Sequence, residues 1–288
     1  MPQHLNQPIR AQDWAGLRVW IIGASTGIGA ALAHALAKLG ANLILSARGR
    51  KALDEVADHC RHVHEDNEIL VLPFDACDGN ETQSAAAQIQ ERWAGVDLVI
   101  YNAGTYEATR IDSLTAKSSR HSLQVNLLAP IAATATILPL LLQQPSDARP
   151  RGFAFVASVA GYRGLPRALT YGPGKAGLIS FAESLWIDLN GMGLNTWVIN
   201  PGFVRTRLTE QNNFEMPALI TPEEAASEII SGFSRGSFEI HFPKRFTVFM
   251  KLLNILPISW YLRLVRRLVP PLSPAAISAS HTHHKEQS

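Results

Sequence analysis

The sequence predicts an α/β fold: a doubly wound, seven-stranded parallel sheet with helices on both faces and a C-terminal helical extension. Three observations predict it. Short apolar runs alternate with longer helical patterns, as in βαβ units. The runs are apolar throughout instead of alternating with polar residues, which suits strands buried on both faces. A glycine-rich turn joins the first run to the first helical stretch. With 288 residues, 47% hydrophobic and 17% charged, the chain can bury one large core. The expected organisation is a flexible N-terminal arm (1–16), a catalytic domain (17–243), and a basic, apolar helical extension ending in a disordered tail (244–288).

The expected strands are 17–22, 42–46, 69–73, 97–101, 152–157, 195–199 and 238–242. Helical patterns fall at 27–39, 50–60, 81–93, 118–142, 171–190 and 222–233. In such a sheet, ligands bind beyond the carboxyl ends of the strands, where the winding reverses, so the loops after those ends should hold the chemistry.

Composition narrows the function classes. A formal net charge of +2 gives no argument for nucleic acid as partner. Two cysteines, Cys60 and Cys77, form no disulfide framework and lack metal-ligand spacing, which points to buried small hydrophobes and a reducing, cytoplasmic setting. Residues 1–13 are polar, unlike a secretory signal. The one candidate membrane span is broken by Lys251, Asn254, Pro257 and Arg263. His281, His283 and His284 have no acidic or cysteine partner, so a tail is expected there and no metal site.

The first strand ends in Gly23-Ala-Ser25-Thr26-Gly27-Ile28-Gly29 and runs into an Ala-rich helix. Residues without Cβ let the backbone turn sharply and approach a pyrophosphate, whose charge the helix N-terminus attracts. The second strand ends in Ser46-Ala47-Arg48. An acid there would bind ribose hydroxyls and repel a 2′-phosphate; Arg48 can grip that phosphate, which favours NADP(H) over NAD. Arg48, Arg50 and Lys51 equally suit a solvated face at a helix start. Asp75 and Ala76 after the third strand, and Asn102-Ala103-Gly104 after the fourth, are strand-end loops on the same side. A short carboxylate there can accept from an adenine amino group.

Ser158 follows the fifth strand, and Tyr171 opens Tyr-Gly-Pro-Gly-Lys175 thirteen positions later. A phenol and an ammonium four residues apart share one helix face, so the ammonium can stabilise the phenolate and lower the phenol pKa. Carbonyl reduction needs a proton donor for the developing alkoxide, a group that holds the oxygen, and a way to restore the proton. Tyr171, Ser158 and Lys175 suit those needs.

On Gly23, Gly27 and Gly29 at G-x-x-x-G-x-G spacing, Asp75, Asn102-Ala103-Gly104, Asn126, Ser158, Tyr171 with Lys175, and Pro201-Gly202-x-x-x-Thr206, the chain resembles the short-chain dehydrogenase/reductase family, with its Rossmann-like sheet. The resemblance implies catalytic roles for Asn126, Ser158, Tyr171 and Lys175. Asn126 would hold a proton-relaying water, and Lys175 would also bind the nicotinamide ribose. Pro201, Gly202, the Val204 backbone and the Thr206 hydroxyl would cover the nicotinamide. A homodimer or homotetramer built on the helices near Ser118 and Tyr171 is implied as well. The chain departs from the family in four places: Ile22 stands for a Thr, Tyr101 for an Asn, and Pro173 and Gly174, both poor helix formers, lie between Tyr171 and Lys175. Tyr171 is therefore expected at the helix start.

Residues 244–269 carry Lys244, Arg245, Lys251, Arg263, Arg266 and Arg267, with no Asp or Glu from Ile240 to Lys285. Pro257 should split them into two helices, with Trp260, Tyr261, Leu264, Val265 and Leu268 on one face. That pattern suits peripheral membrane contact or packing over the protein's own cleft, and both imply a lipophilic small-molecule substrate. The reading is an NADP(H)-dependent oxidoreductase; the alternatives are the same enzyme with NAD, or a nucleotide-binding regulatory protein without turnover.

Overall fold

A computed structural model describes residues 5–64, 66–143, 149–210 and 216–271. Seven parallel strands form one sheet: β1 Arg18–Ile22, β2 Asn42–Ser46, β3 Ile69–Val71, β4 Leu98–Tyr101, β5 Gly152–Val156, β6 Asn195–Pro201 and β7 Glu239–Phe242. Their order, β3-β2-β1-β4-β5-β6-β7, places the reversal of winding between β1 and β4. Residues of β1 alternate between two cores: Val19 and Ile21 join one, Trp20 and Ile22 the other. Helices α1 (Gly27–Lys38), α2 (Arg50–Val63) and α7 (Pro222–Ser234) cover the first face. Helices α3 (Gly79–Trp93), α5 (Ala129–Leu142) and α6 (Tyr171–Leu189) cover the second.

Local sequence explains most element starts. Asp78 caps α3 by accepting from the Asn80 and Glu81 amides, and Thr221 with Glu224 forms a reciprocal capping box at α7, where Pro222 begins the helix. Helix α1 has no such cap, since Thr26 at its N-cap makes no capping bond, and α2 and α6 also start without one. At the opposite end of the sheet, Asp97 accepts from the Arg18 amide (2.8 Å), Nε (2.9 Å) and Nη2 (2.5 Å), pinning β4 to β1.

The helical stretch expected at 118–142 runs from Ala116 to Leu142 but is interrupted. Between α4 (Ala116–Leu123) and α5 lies a π turn, Gln124–Leu128, closed by the Ala129 N–H donating to the Gln124 carbonyl. Pro130 supplies the reason, since it has no N–H to bond the carbonyl of Asn126 four residues before it. By length and composition this run could cross a membrane, which the sequence reading did not note. Its buried side packs on α3, α6 and β5.

The N-terminal stretch, expected as a flexible arm, is packed against the body where it is described. Asn6 donates to the Thr196 carbonyl at 2.7 Å, the Ile9 amide bonds the Phe233 carbonyl at 3.0 Å, and Trp14 is buried edge-on to Phe233. Ile9 and Trp14 are the reason: two large apolar side chains in an otherwise polar stretch find a place in the core. The C-terminal segment forms α8 (Lys244–Ile255) and α9 (Ile258–Arg266), separated at Pro257 as expected. Residues 272–288, with the histidine cluster, lie outside the described residues.

Candidate active site

The reversal of winding brings the β1 and β4 loops together. Asn102 Nδ2 donates to the Gly23 carbonyl at 2.7 Å, and the Asn102 and Ala103 amides both bond the Ile22 carbonyl at 2.8 Å. Only glycine fits this crossing. Gly23 has φ +95°, and a Cβ on it would lie 2.5 Å from the Ala103 amide nitrogen; one on Gly29 would lie 2.1 Å from the Gly23 carbonyl oxygen. Trp20 Nε1 donates to Ser46 Oγ across β1 and β2 at 2.9 Å.

Beside this crossing lies the N-terminus of α1, with Ser25, Thr26, Gly27 and Ile28 partly or fully exposed and no acidic residue in the first turn. Gly27, at φ +58°, faces the 201–206 loop, where a Cβ would come within 3.0 Å of Thr206 Cγ2. That loop is fixed by Thr209, whose hydroxyl accepts from the Thr206 amide and donates to the Val204 carbonyl. Pro201 ends β6, Val204 is buried and bridges Ile220, and Gly202 packs under Phe246 of α8. Arg48 is exposed two residues beyond β2, while Arg50 pairs with Asp54 along α2 at 3.8 Å. The exposed Asp75 holds its own turn, its carboxylate accepting from the Cys77 amide at 2.9 Å, with Ala76 between. A helix start without a side-chain cap and a crossing closed to any side chain together fit the pyrophosphate of a dinucleotide.

The catalytic candidates converge on the other side of Gly104. Ser158 caps the short turn Val159–Gly161, accepting from the Ala160 amide at 3.1 Å, and is hydrogen-bonded to Tyr171. Tyr171 is the first residue of α6, as expected. Burial pushes its phenol up to about 12, against the lowering effect of the Ser158 bond. Lys175 Nζ lies 5.7 Å from the Tyr171 ring centroid and donates to the Val156 carbonyl at 2.8 Å. Burial brings Lys175 down to about 7. The tyrosine is thus raised where a lowering by the lysine was expected, because taking both groups out of water favours their neutral forms.

Asn126 sits in the π turn, buried, with Nδ2 donating to the Thr105 carbonyl at 2.8 Å and the Ser122 carbonyl at 3.0 Å. A Cβ on Gly104 would lie 3.2 Å from Asn126 Oδ1 and 3.5 Å from Lys175 Nζ, so this glycine separates the two polar groups by one small space. Gly174 has a similar use, since a Cβ there would press within 3.2 Å of Asn126 Cβ. The departure at Gly174 therefore suits the close approach of α6 to the π turn. Tyr101, where the family has Asn, is buried with its hydroxyl unpartnered.

Sequence reading missed two residues here. Tyr106 stands edge-on to Tyr171, with centroids 5.0 Å apart. Arg163, in the loop between Ser158 and Tyr171, donates to the carbonyls of Leu253, Asn254 and Leu256, and lies over the Tyr261 ring at 4.2 Å. Only the two-residue distance of Tyr106 from the Asn102-Ala103-Gly104 turn could have flagged it. For Arg163 the chain offers no local signal, because its partners are ninety residues away. Of the five apolar residues expected to share a face of α9, Tyr261 and Val265 are buried, whereas Trp260, Leu264 and Leu268 are exposed.

A model of the family described as short chain dehydrogenase matches residues 18–216. An uncharacterized oxidoreductase of Myxococcus xanthus is 32% identical over 249 residues, 86% of this chain and 96% of the relative. The human 17-beta-hydroxysteroid dehydrogenase 13 is 26% identical over 253 residues, 87% and 82% of the two chains. Among solved structures, levodione reductase aligns with a TM-score of 0.73 at 19% identity, covering 81% of this chain and 98% of its own, a likeness of fold.

Proposed function

This chain belongs to the short-chain dehydrogenase/reductase family, and from that premise we propose an NADP(H)-dependent oxidoreductase acting on the carbonyl or secondary alcohol carbon of a lipophilic substrate. The observation that carries the activity is the convergence of Ser158, Tyr171, Lys175 and Asn126 around Gly104, beside the uncapped α1.

When bound, the reduced nicotinamide supplies a hydride and its oxidised form accepts one. In reduction, Tyr171 donates its phenolic proton to the substrate oxygen while the Ser158 hydroxyl holds that same oxygen. Lys175, in its charged form, favours the phenolate that remains. Asn126, fixed by Thr105 and Ser122, keeps a polar path open toward Lys175 for the proton's return. Gly23, Ser25, Thr26, Gly27, Ile28 and Gly29 would hold the pyrophosphate, Arg48 the 2′-phosphate, Asp75 and Ala76 the adenine, and Asn102, Ala103 and Gly104 the nucleotide's flank. Pro201, Gly202, Val204 and Thr206 would cover the nicotinamide.

NADP preference is supported by a β2 that ends without an acid and by Arg48, the exposed cation nearest its end. A lipophilic substrate is supported by the apolar rim. Tyr106 stands against Tyr171, and Phe203 packs on Phe246 at 5.5 Å. The name of the human relative, a steroid dehydrogenase, agrees with such a substrate. The catalytic unit is residues 17–243, and assembly as a homodimer or homotetramer is supported by exposed Leu128 and Leu142 near α5 and Ile187 on α6.

The test is NADPH oxidation over a panel of apolar ketones and aldehydes. Tyr171→Phe should cut turnover by roughly 10²–10⁴-fold while NADPH still binds; unchanged turnover would remove Tyr171 from the mechanism. Arg48→Ala should weaken NADPH by roughly tenfold and leave NADH affinity alone. A wild-type preference for NADH would refute the phosphate argument.

A further inference from the structure

We propose that α8 and α9 form a docking surface for an anionic lipid bilayer. The inference stands whichever carbonyl compound is reduced.

The helix pair is held to the body by one side only. Thr247, Met250, Tyr261 and Val265 are buried, Tyr261 Oη donates to the Gly164 carbonyl at 2.6 Å, and Lys251 pairs with Glu239 at 2.5 Å. The opposite side is unlike an ordinary surface. On α8, Val248, Leu252 and Ile255 follow one another at spacings of four and three, which puts them on one stripe, and they are 46%, 60% and 79% exposed. Phe249 beside them is 54% exposed, and Trp260 on α9 is 65% exposed. Scattered exposed apolar residues need no explanation, but a contiguous stripe with an exposed Trp does.

Charge selects the occupant. Arg263, Arg266 and Arg267 fill the arc of α9 opposite its buried face, and Lys244 and Arg245 open α8. Because no carboxylate occurs from Ile240 to Lys285, nothing in the segment neutralises these five cations. A second copy meeting this face about a two-fold axis would bring cations against cations. A bilayer carrying anionic headgroups supplies the missing negative charge and an apolar layer at the depth such side chains reach. Since α8 packs on Gly202 through Phe246 and its last carbonyls bond Arg163, the helix a bilayer would dock on is the one that touches both loops framing the candidate active site.

The experiment is flotation of the full chain with phosphatidylcholine vesicles containing about one quarter phosphatidylserine, against phosphatidylcholine alone. Binding should require the anionic lipid and fall as salt rises. The double variants Leu252→Glu/Ile255→Glu and Arg266→Glu/Arg267→Glu should each lower it by roughly tenfold or more, with thermal melting unchanged. Equal binding to both vesicles, no binding to either, or full binding by folded variants overturns the proposal. If wild type ignores vesicles and Leu252→Glu/Ile255→Glu reduces the oligomer size in light scattering, the face belongs to a second copy.

Discussion

At Tyr171 three effects act on one proton. Desolvation, helped by Tyr106, lifts the phenol to about 12, and the Ser158 hydroxyl pulls it the other way. The phenol is therefore neutral around neutrality, the form that can donate a proton in the proposed reduction. Oxidation of the alcohol needs the phenolate. Its rate should climb with pH, up to tenfold per unit, while reduction should gain nothing from added base; initial rates in both directions across pH would show it. A reduction rate that rises with pH would contradict Tyr171 as donor. At this scale type and spacing were enough to pick out Ser158 and Lys175 as candidates, and the fold brings both beside Tyr171. It was silent on the sign of the tyrosine shift, which depends on burial.

The π turn at Asn126 shows how an element serves the site. Pro130 removes the N–H that a regular helix would offer to the Asn126 carbonyl, and the wider turn lets the side chain reach Thr105. That break could have been read from the spacing of Asn126 and Pro130, but its use could not, because Thr105 is brought there by β4. The same holds for Arg163. Its guanidinium takes three carbonyls at the end of α8, where an uncapped helix would leave them to water. Arg163→Ala should loosen α8 and α9 without unfolding the sheet. Hydrogen exchange should speed up by roughly tenfold or more over 250–268 and stay unchanged in β1 and β4. No change over 250–268 would mean that Tyr261 and the Lys251–Glu239 pair hold the segment by themselves.

Across the whole molecule, burial of titratable groups makes stability depend on pH. Lys175, at about 7 when folded against an ordinary 10.5, binds fewer protons in the fold, so stability should rise with pH from about 7. His241, lowered to about 4 from 6.5, adds a rise at lower pH. Cys60, raised from 9.0 to about 12, and Tyr171, raised from 10.0 to about 12, bind more protons when folded; the first should level the rise above about pH 9 and the second reverse it above about pH 10. Urea unfolding at stepped pH should show this maximum, and Lys175→Met should flatten the rise between about 7 and 9. A Lys175→Met variant with the wild-type slope would show that another group titrates there.

The sequence by itself determined the seven strands, the helices between them to within a few residues, the glycine crossing and the identity of the catalytic candidates. Each of these follows from local patterns: apolar runs, residues without Cβ, and side-chain types at fixed spacing. The tertiary structure decided what depends on distant parts of the chain meeting. It packed Ile9 and Trp14, from a segment that reads as an arm, into the core, set Tyr106 against Tyr171, tied Arg163 to α8, and turned only Tyr261 and Val265 of the apolar face of α9 inward. Burial and long-range contact are properties of the folded chain, and a one-dimensional pattern carries neither.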